Sequence, residues 1–215
     1  MTAMSSSGAT LRVQRAPFSI DDPWEIPAGC HAVSLRNAMD GSDPRQATTL
    51  AVYHDSFALC LLFSMQDDAV VATHFVHDAP LYEEDVVEAF LAPERMTEYL
   101  ELEANPLGTT FDARIFSPDG VRRTMRADLS WDCTGLEVFI RRVWLASGTM
   151  QADTLVRIPF AGLGRSSPPK GESWRGNFFR IDRSAAGDEF SAWRPTMKTP
   201  ADFHVTAAFG VLIFE

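Results

Sequence analysis

The chain is short of cysteine, has no excess of basic charge and contains no long apolar run. Its three cysteines, Cys30, Cys60 and Cys133, are odd in number and form no C-x-x-C pair. That spacing argues against a disulfide framework and against a thiolate zinc site. Cys60 lies inside the apolar run 58–63, where a thiol behaves as a small hydrophobe. The formal net charge of −10 argues against nucleic acid and anionic membrane surfaces as partners, because both require clustered Lys and Arg. No segment is long and apolar enough to span a bilayer. The opening MTAMSSSGATLRVQRAPF lacks the hydrophobic centre of a signal peptide, so the sequence as written points to the cytoplasm. A missing leader would reverse that expectation.

What is present is the composition of an ordinary globular domain, 46% hydrophobic and 22% charged. At 215 residues the chain can bury a core without covalent or metal staples. Its acidic balance suits neutral ligands and calcium, whose ligands are hard carboxylate oxygens.

Residues 1–16 are small and polar and read as a flexible leader, leaving 17–215 as a single domain. From there, short apolar or alternating runs are separated by turn signals. The strand candidates are 48–54, 58–65, 70–76, 99–105, 110–116, 136–143, 155–160, 178–182 and 210–214. Pro106-Leu-Gly108, Asp119-Gly120 and Pro169-Lys-Gly171 punctuate them. In the run from Tyr99, alternation puts Tyr99, Glu101, Glu103 and Asn105 on one face and Leu100, Leu102 and Ala104 on the other. Many short strands without a long helical stretch indicate an all-β chain, an antiparallel β-sandwich of jelly-roll or immunoglobulin-like type. The segment 81–90 (LYEEDVVEAF) resists this pattern, since its glutamates and apolar spacing favour a helix on local propensity.

The order of short motifs resembles that of the family 9 carbohydrate-binding modules and the wider group of DOMON-like sandwiches. An opening Asp-x-x-Trp is Asp21-Asp-Pro-Trp24, and a strand ending in an acidic turn is 58–65 followed by Asp67-Asp68. An aromatic residue ahead of an Asp-x-Val-Glu strand is Tyr82 followed by Asp85-Val-Val-Glu88. A Tyr-x-Glu strand with an Asn-Pro-x-Gly turn is Tyr99-Leu-Glu101 running to Asn105-Pro-Leu-Gly108. Later come Ile158-Pro159-Phe160, Trp174-Arg-Gly-Asn177-Phe-Phe-Arg180, Trp193-Arg-Pro195, Phe203-His204 and Phe209-Gly210. The likeness runs from about residue 18 to the C-terminus.

The resemblance implies a non-catalytic sugar-binding sandwich, with a strand beginning near Val86 in place of the locally favoured helix. It implies a mono- or oligosaccharide held between two aromatic rings, Tyr82 and Trp193, and hydrogen-bonded by the carboxylate of Glu88. Rings stack on the apolar C–H faces of a pyranose, and a carboxylate accepts its hydroxyls. Tyr82 departs from the tryptophan usual at its position, and Glu and Asn stand where the family often carries an arginine after the Asp-x-Val-Glu strand. Asn105, Asn177 and Arg180 complete the candidate ligand set, although Asn177 and Arg180, an odd number of residues apart on a strand, project to opposite sides. A structural role for Arg180, paired with Glu101 or Glu103, is an equal alternative. Calcium is the family's usual structural ion, and Asp67, Asp68 and Asp78 are candidate ligands near strand ends.

Other functions stay open. Glu83, Glu84, Asp85, Glu88, Glu101 and Glu103 could in principle furnish a glycosidase pair, but nothing singles out an acid and a base. No Gly-x-Ser-x-Gly, Walker or His-Glu-x-x-His motif is present. His74 and His77 form an isolated His-x-x-His. A haem-binding domain would need axial His or Met ligands, and no pair stands out. A sandwich serving protein–protein contact is the third alternative.

Overall fold

The structure, a computed structural model, describes residues 10–146 and 149–215. Fourteen strands are found among these residues: β1 (Thr10–Arg15), β2 (Ala32–Ser34), β3 (Arg36–Asn37), β4 (Thr48–His54), β5 (Ala58–Asp67), β6 (Val86–Ala92) and β7 (Glu98–Ala104) in the first half. The second half adds β8 (Thr110–Phe116), β9 (Arg126–Asp128), β10 (Glu137–Trp144), β11 (Met150–Pro159), β12 (Ser173–Asp182), β13 (Glu189–Ala192) and β14 (Gly210–Phe214). Three single-turn 3-10 helices occupy Leu81–Glu83, Arg122–Thr124 and Thr206–Ala208. The all-β sandwich read from the sequence is the fold observed.

The sheet follows one path, β10-β11-β5-β4-β1-β14-β12-β6-β7-β8-β9, and curls into two layers. β1 is the hinge between them. Thr10–Val13 pair with β14 in one layer, while Gln14 and Arg15 pair with β4 in the other. Both of these pairings are parallel, the exceptions in an otherwise antiparallel sheet. Residues 10–15 therefore do not belong to a loose leader, because Leu11 and Val13 alternate inward and are buried in the core. Residues 1–9 of the expected leader lie outside the described residues.

Between the layers lies the main core. It takes Leu59, Leu61 and Phe63 from β5, Val87, Ala89 and Leu91 from β6, Leu100 and Leu102 from β7, and Trp174 and Phe178 from β12. β5 is buried on both faces, as its unbroken apolar run implies, since Cys60 and Leu62 point to a smaller cluster beneath Phe18 and Trp24. All three thiols are free and buried. Gly176 in β12 has a packing reason: a Cβ there would meet the Phe90 carbonyl oxygen at 2.7 Å, so only glycine lets β12 lie this close to β6.

Two local expectations change. Segment 70–76 is a connection rather than a strand. Its polar backbone groups are met by side chains instead of a ladder: Asp85 accepts from Val71 N–H (2.6 Å), and the His74 carbonyl accepts from Asn105 and Thr109 (both 2.9 Å). The 81–90 segment makes only one 3-10 turn and becomes β6 at Val86. Local helix propensity is overridden because every residue of β6 is buried between ladders to β12 and β7.

Candidate functional site

The outer face of the layer containing β6, β7, β8 and β12 is not left to solvent. Phe90, Tyr99, Phe111, Ala113, Ile115, Phe179 and Ile181 form a second apolar cluster there, closed by Phe203 and Phe209 from the chain ahead of β14. Phe203 stacks on Phe179 with centroids 4.2 Å apart. This closure is incomplete, and it leaves a pocket of about 770 Å³.

Glu88 of β6 and Glu101 of β7 lie at its floor beside Phe111, Ile115 and Ile181. Tyr82, Arg183 and Phe190 form one side, Arg122 and Met125 another, and residues 198–204 a third. Tyr82 is half exposed, and its backbone carbonyl accepts a 2.7 Å hydrogen bond from Arg183. The Arg183 guanidinium also lies over the Phe190 ring, 5.3 Å from its centroid, and pairs with Asp188. Arg122 pairs with Asp202 at 3.1 Å.

Strand alternation puts a third acid with the first two. Glu88 and Glu103 are direct cross-strand partners, and Glu101 is two residues from Glu103 on the same face. One oxygen of each lies within 4.8 Å of the others. Burial holds all three carboxyls toward the neutral form, and their mutual repulsion adds to it for Glu88 and Glu103; Glu101 is pushed up to about 7. Among the described residues Glu88 Oε1 has no hydrogen-bond donor, and the Glu103 oxygens meet only the Glu101 carboxyl. Nearby, Tyr99 and His204 Nδ1 share a 2.7 Å hydrogen bond, and His204 Nε2 stands 3.7 Å from Glu101. Burial, reinforced by Arg122, drives His204 down to about 4, so it is neutral at ordinary pH.

Tyr82 and Glu88 thus meet in one pocket, and the other expected site residues do not join them. Trp193 is a core residue: it is 8% exposed, its ring lies 5.8 Å from that of Phe178, and its backbone N–H donates to the Phe178 carbonyl. Alternation decides this, because Phe178 faces the interior of the sandwich while Phe179 faces the pocket layer. Asn105 braces its own turn, accepting from Leu107 and Thr109. Gly108, at φ +83°, closes that turn. Asn177 ties β12 to the following segment, donating to the Arg194 carbonyl and accepting from Arg194 N–H (2.8 and 2.9 Å). Arg180 is buried, pairs with Asp67 and Asp182, and donates to Thr48 and the Gln66 carbonyl. It does not pair with Glu101 or Glu103, which lie on the opposite face.

The candidate calcium ligands are also separated. Asp67 is engaged by Arg180 and by Ala69 N–H, whereas Asp78 sits with His77 and Asp132, so Asp67, Asp68 and Asp78 do not form one donor set. The pocket residues that sequence reading left unassigned are Arg122, Arg183, Phe190 and His204. For Glu101 and Glu103 the signal was available, in their shared face with Tyr99. For Arg122 and Arg183 there was none, because both stand on connections whose position depends on the fold.

The family model of carbohydrate-binding family 9 matches residues 42–214, and the chain belongs to that family. Among solved structures, a protein from Bacteroides uniformis whose proposed role is carbohydrate binding superposes with a TM-score of 0.76 at 19% identity, over 97% of this chain and all of that one. A family 9 carbohydrate-binding module from Caldicellulosiruptor kristjanssonii in complex with cellotriose gives a TM-score of 0.60 at 14% identity, covering 96% and 94% of the two chains. The same source's module in complex with glucose gives 0.59 at 13%, covering 96% of each. At these identities the likeness is one of fold. No curated protein matches the chain.

Proposed function

We propose that the pocket binds a mono- or oligosaccharide without chemical turnover, with the Tyr82 ring against an apolar sugar face and Glu88 and Glu101 accepting hydroxyls. The observation that carries this reading is Glu88, a buried carboxylate with an unpartnered oxygen on the floor of a pocket rimmed by a half-exposed tyrosine. An unmet buried acceptor costs about 1–3 kcal/mol, which a hydroxyl donor would recover. The volume is within the range of small-molecule sites. Membership of carbohydrate-binding family 9 and the glucose and cellotriose complexes of fold relatives support a saccharide as ligand. The second ring is not Trp193; Phe190, half-buried beside Arg183, is the other aromatic on the Tyr82 side of the pocket.

A glycosidase reading is less supported. Glu88, Glu101 and Glu103 rise side by side from one sheet face, whereas glycoside hydrolysis needs two carboxyls flanking the scissile bond. The test is a calorimetric panel of mono- and disaccharides together with an assay on chromogenic glycosides. Binding weakened by Tyr82→Ala, with no hydrolysis, is the expected result. Hydrolysis lost in Glu88→Gln would replace binding by catalysis, and silence across the panel would overturn the reading.

A further inference from the structure

We propose that Glu88, Glu101 and Glu103 together hold a hard divalent cation, calcium in the first instance, beneath the pocket, and that a bound saccharide completes its coordination through hydroxyl oxygens. The second half rests on the saccharide reading above; the first half does not.

Among the described residues no Arg or Lys forms an ion pair with any of the three carboxyls, and Arg122 and Arg183 act on them only from beyond ion-pair range. Each carboxyl presents an oxygen within 4.8 Å of the others, the span of a single calcium coordination sphere, in which oxygens lie about 2.3–2.6 Å from the ion. The guanidiniums nearest in charge are committed elsewhere, Arg122 to Asp202 and Arg183 to Asp188. Among the described residues His204 is the one basic side chain within ion-pair distance of the cluster, 3.7 Å from Glu101, and it is neutral.

Glu103 separates a cation from a sugar hydroxyl as the missing partner. It is 1% exposed, the only polar side chain its oxygens meet among the described residues is the neighbouring Glu101 carboxyl, and it lies below the residues that line the pocket. Glu103 lies below the pocket lining and out of direct line with a pocket-bound sugar, whereas an ion seated between the three reaches one oxygen of each. Carboxylates alone, with no thiolate, select hard ions over zinc or copper. Calcium takes six to eight oxygens, so three carboxyls leave positions open toward the pocket, where a pair of neighbouring sugar hydroxyls would fit. The other acid-rich group, His77 with Asp78 and Asp132, is exposed and internally paired at 3.4 and 3.3 Å, and it serves as the control.

The experiment is calorimetric titration of calcium chloride into chelator-treated protein at neutral pH, without sugar. One site is expected, weakened at least tenfold by Glu103→Gln and by Glu101→Gln, and unchanged by Asp132→Asn. Two isosteric variants are used so that one remains informative if the other misfolds, as checked by circular dichroism. No calcium uptake, or uptake insensitive to both glutamine variants, overturns the metal site whether or not sugars bind. Sugar binding is then measured in calcium and in chelator, with at least a tenfold loss in chelator expected. Calcium uptake with sugar binding indifferent to chelator overturns the coupling. Calcium uptake with no sugar bound in either condition overturns the saccharide reading and leaves the metal site standing.

Discussion

Replacing Trp193 by alanine separates a core ring from a stacking ring. The side chain is 8% exposed and belongs to the main core with Phe63, Val87 and Phe178. Truncation removes nearly the whole indole from between the two layers and leaves a cavity that strands on both sides cannot collapse to fill. Trp→Ala changes at such sites cost about 3–5 kcal/mol. In a domain of this size each kcal/mol lowers Tm by about 2–4 °C, so the fall is on the order of 6–20 °C. Urea unfolding followed by circular dichroism measures the first figure, and a thermal melt the second. Calorimetry on the folded variant at low temperature should find saccharide affinity within about threefold of wild type, since the ring does not line the pocket. A melt unchanged within a degree, with sugar binding lost, would falsify the placement of Trp193 and restore it as a ligand ring.

Three further outcomes are expected. Tyr82→Ala should reduce saccharide affinity by about 1–3 kcal/mol as the loss of a stacking anchor, and change stability by no more than about 0.5 kcal/mol because the ring is half exposed; the reverse pattern in calorimetry and urea melts would remove it from the site. Arg180→Ala should destabilise by about 3–5 kcal/mol, because Asp67 and Asp182 would remain buried without their shared guanidinium; a urea midpoint unchanged from wild type would refute that network. Burial pushes Asp85, Asp112 and Asp182 each up to about 6, above the usual aspartate range. The folded state therefore binds more protons than the unfolded chain between roughly pH 4 and 6, and these groups' contribution to stability is lost as pH rises through that window. Thermal melts should show a higher Tm at pH 5 than at pH 7.5, and a flat or opposite profile would contradict this sign.

The sequence by itself determined the fold class, because the pattern of inward residues is local. The run 58–65 can be solvated on neither face, and the alternation from Tyr99 to Ala104 assigns each side chain to a side before any partner strand is known. The same arithmetic put Glu101 and Glu103 on one face, and the motif order put Tyr82 and Glu88 in one site. What alternation leaves out is whether a face is covered. The outer face of β6, β7 and β12 becomes a second buried layer because residues 198–209 return across it, and that return turns three strand glutamates into a buried cluster. Trp193 was misassigned for a related reason: its side depends on pairing at Phe178 rather than Phe179, a one-residue register that flips a side chain across the sheet. β1 was invisible for another, since its six residues gain their place through parallel pairing with strands 40 and 200 residues away, contacts that no local signal encodes. Only the tertiary structure decided which acids meet, which aromatic ring stays at the surface and which arginines are left to face the pocket, because each depends on connections whose paths are set by the layers they cover.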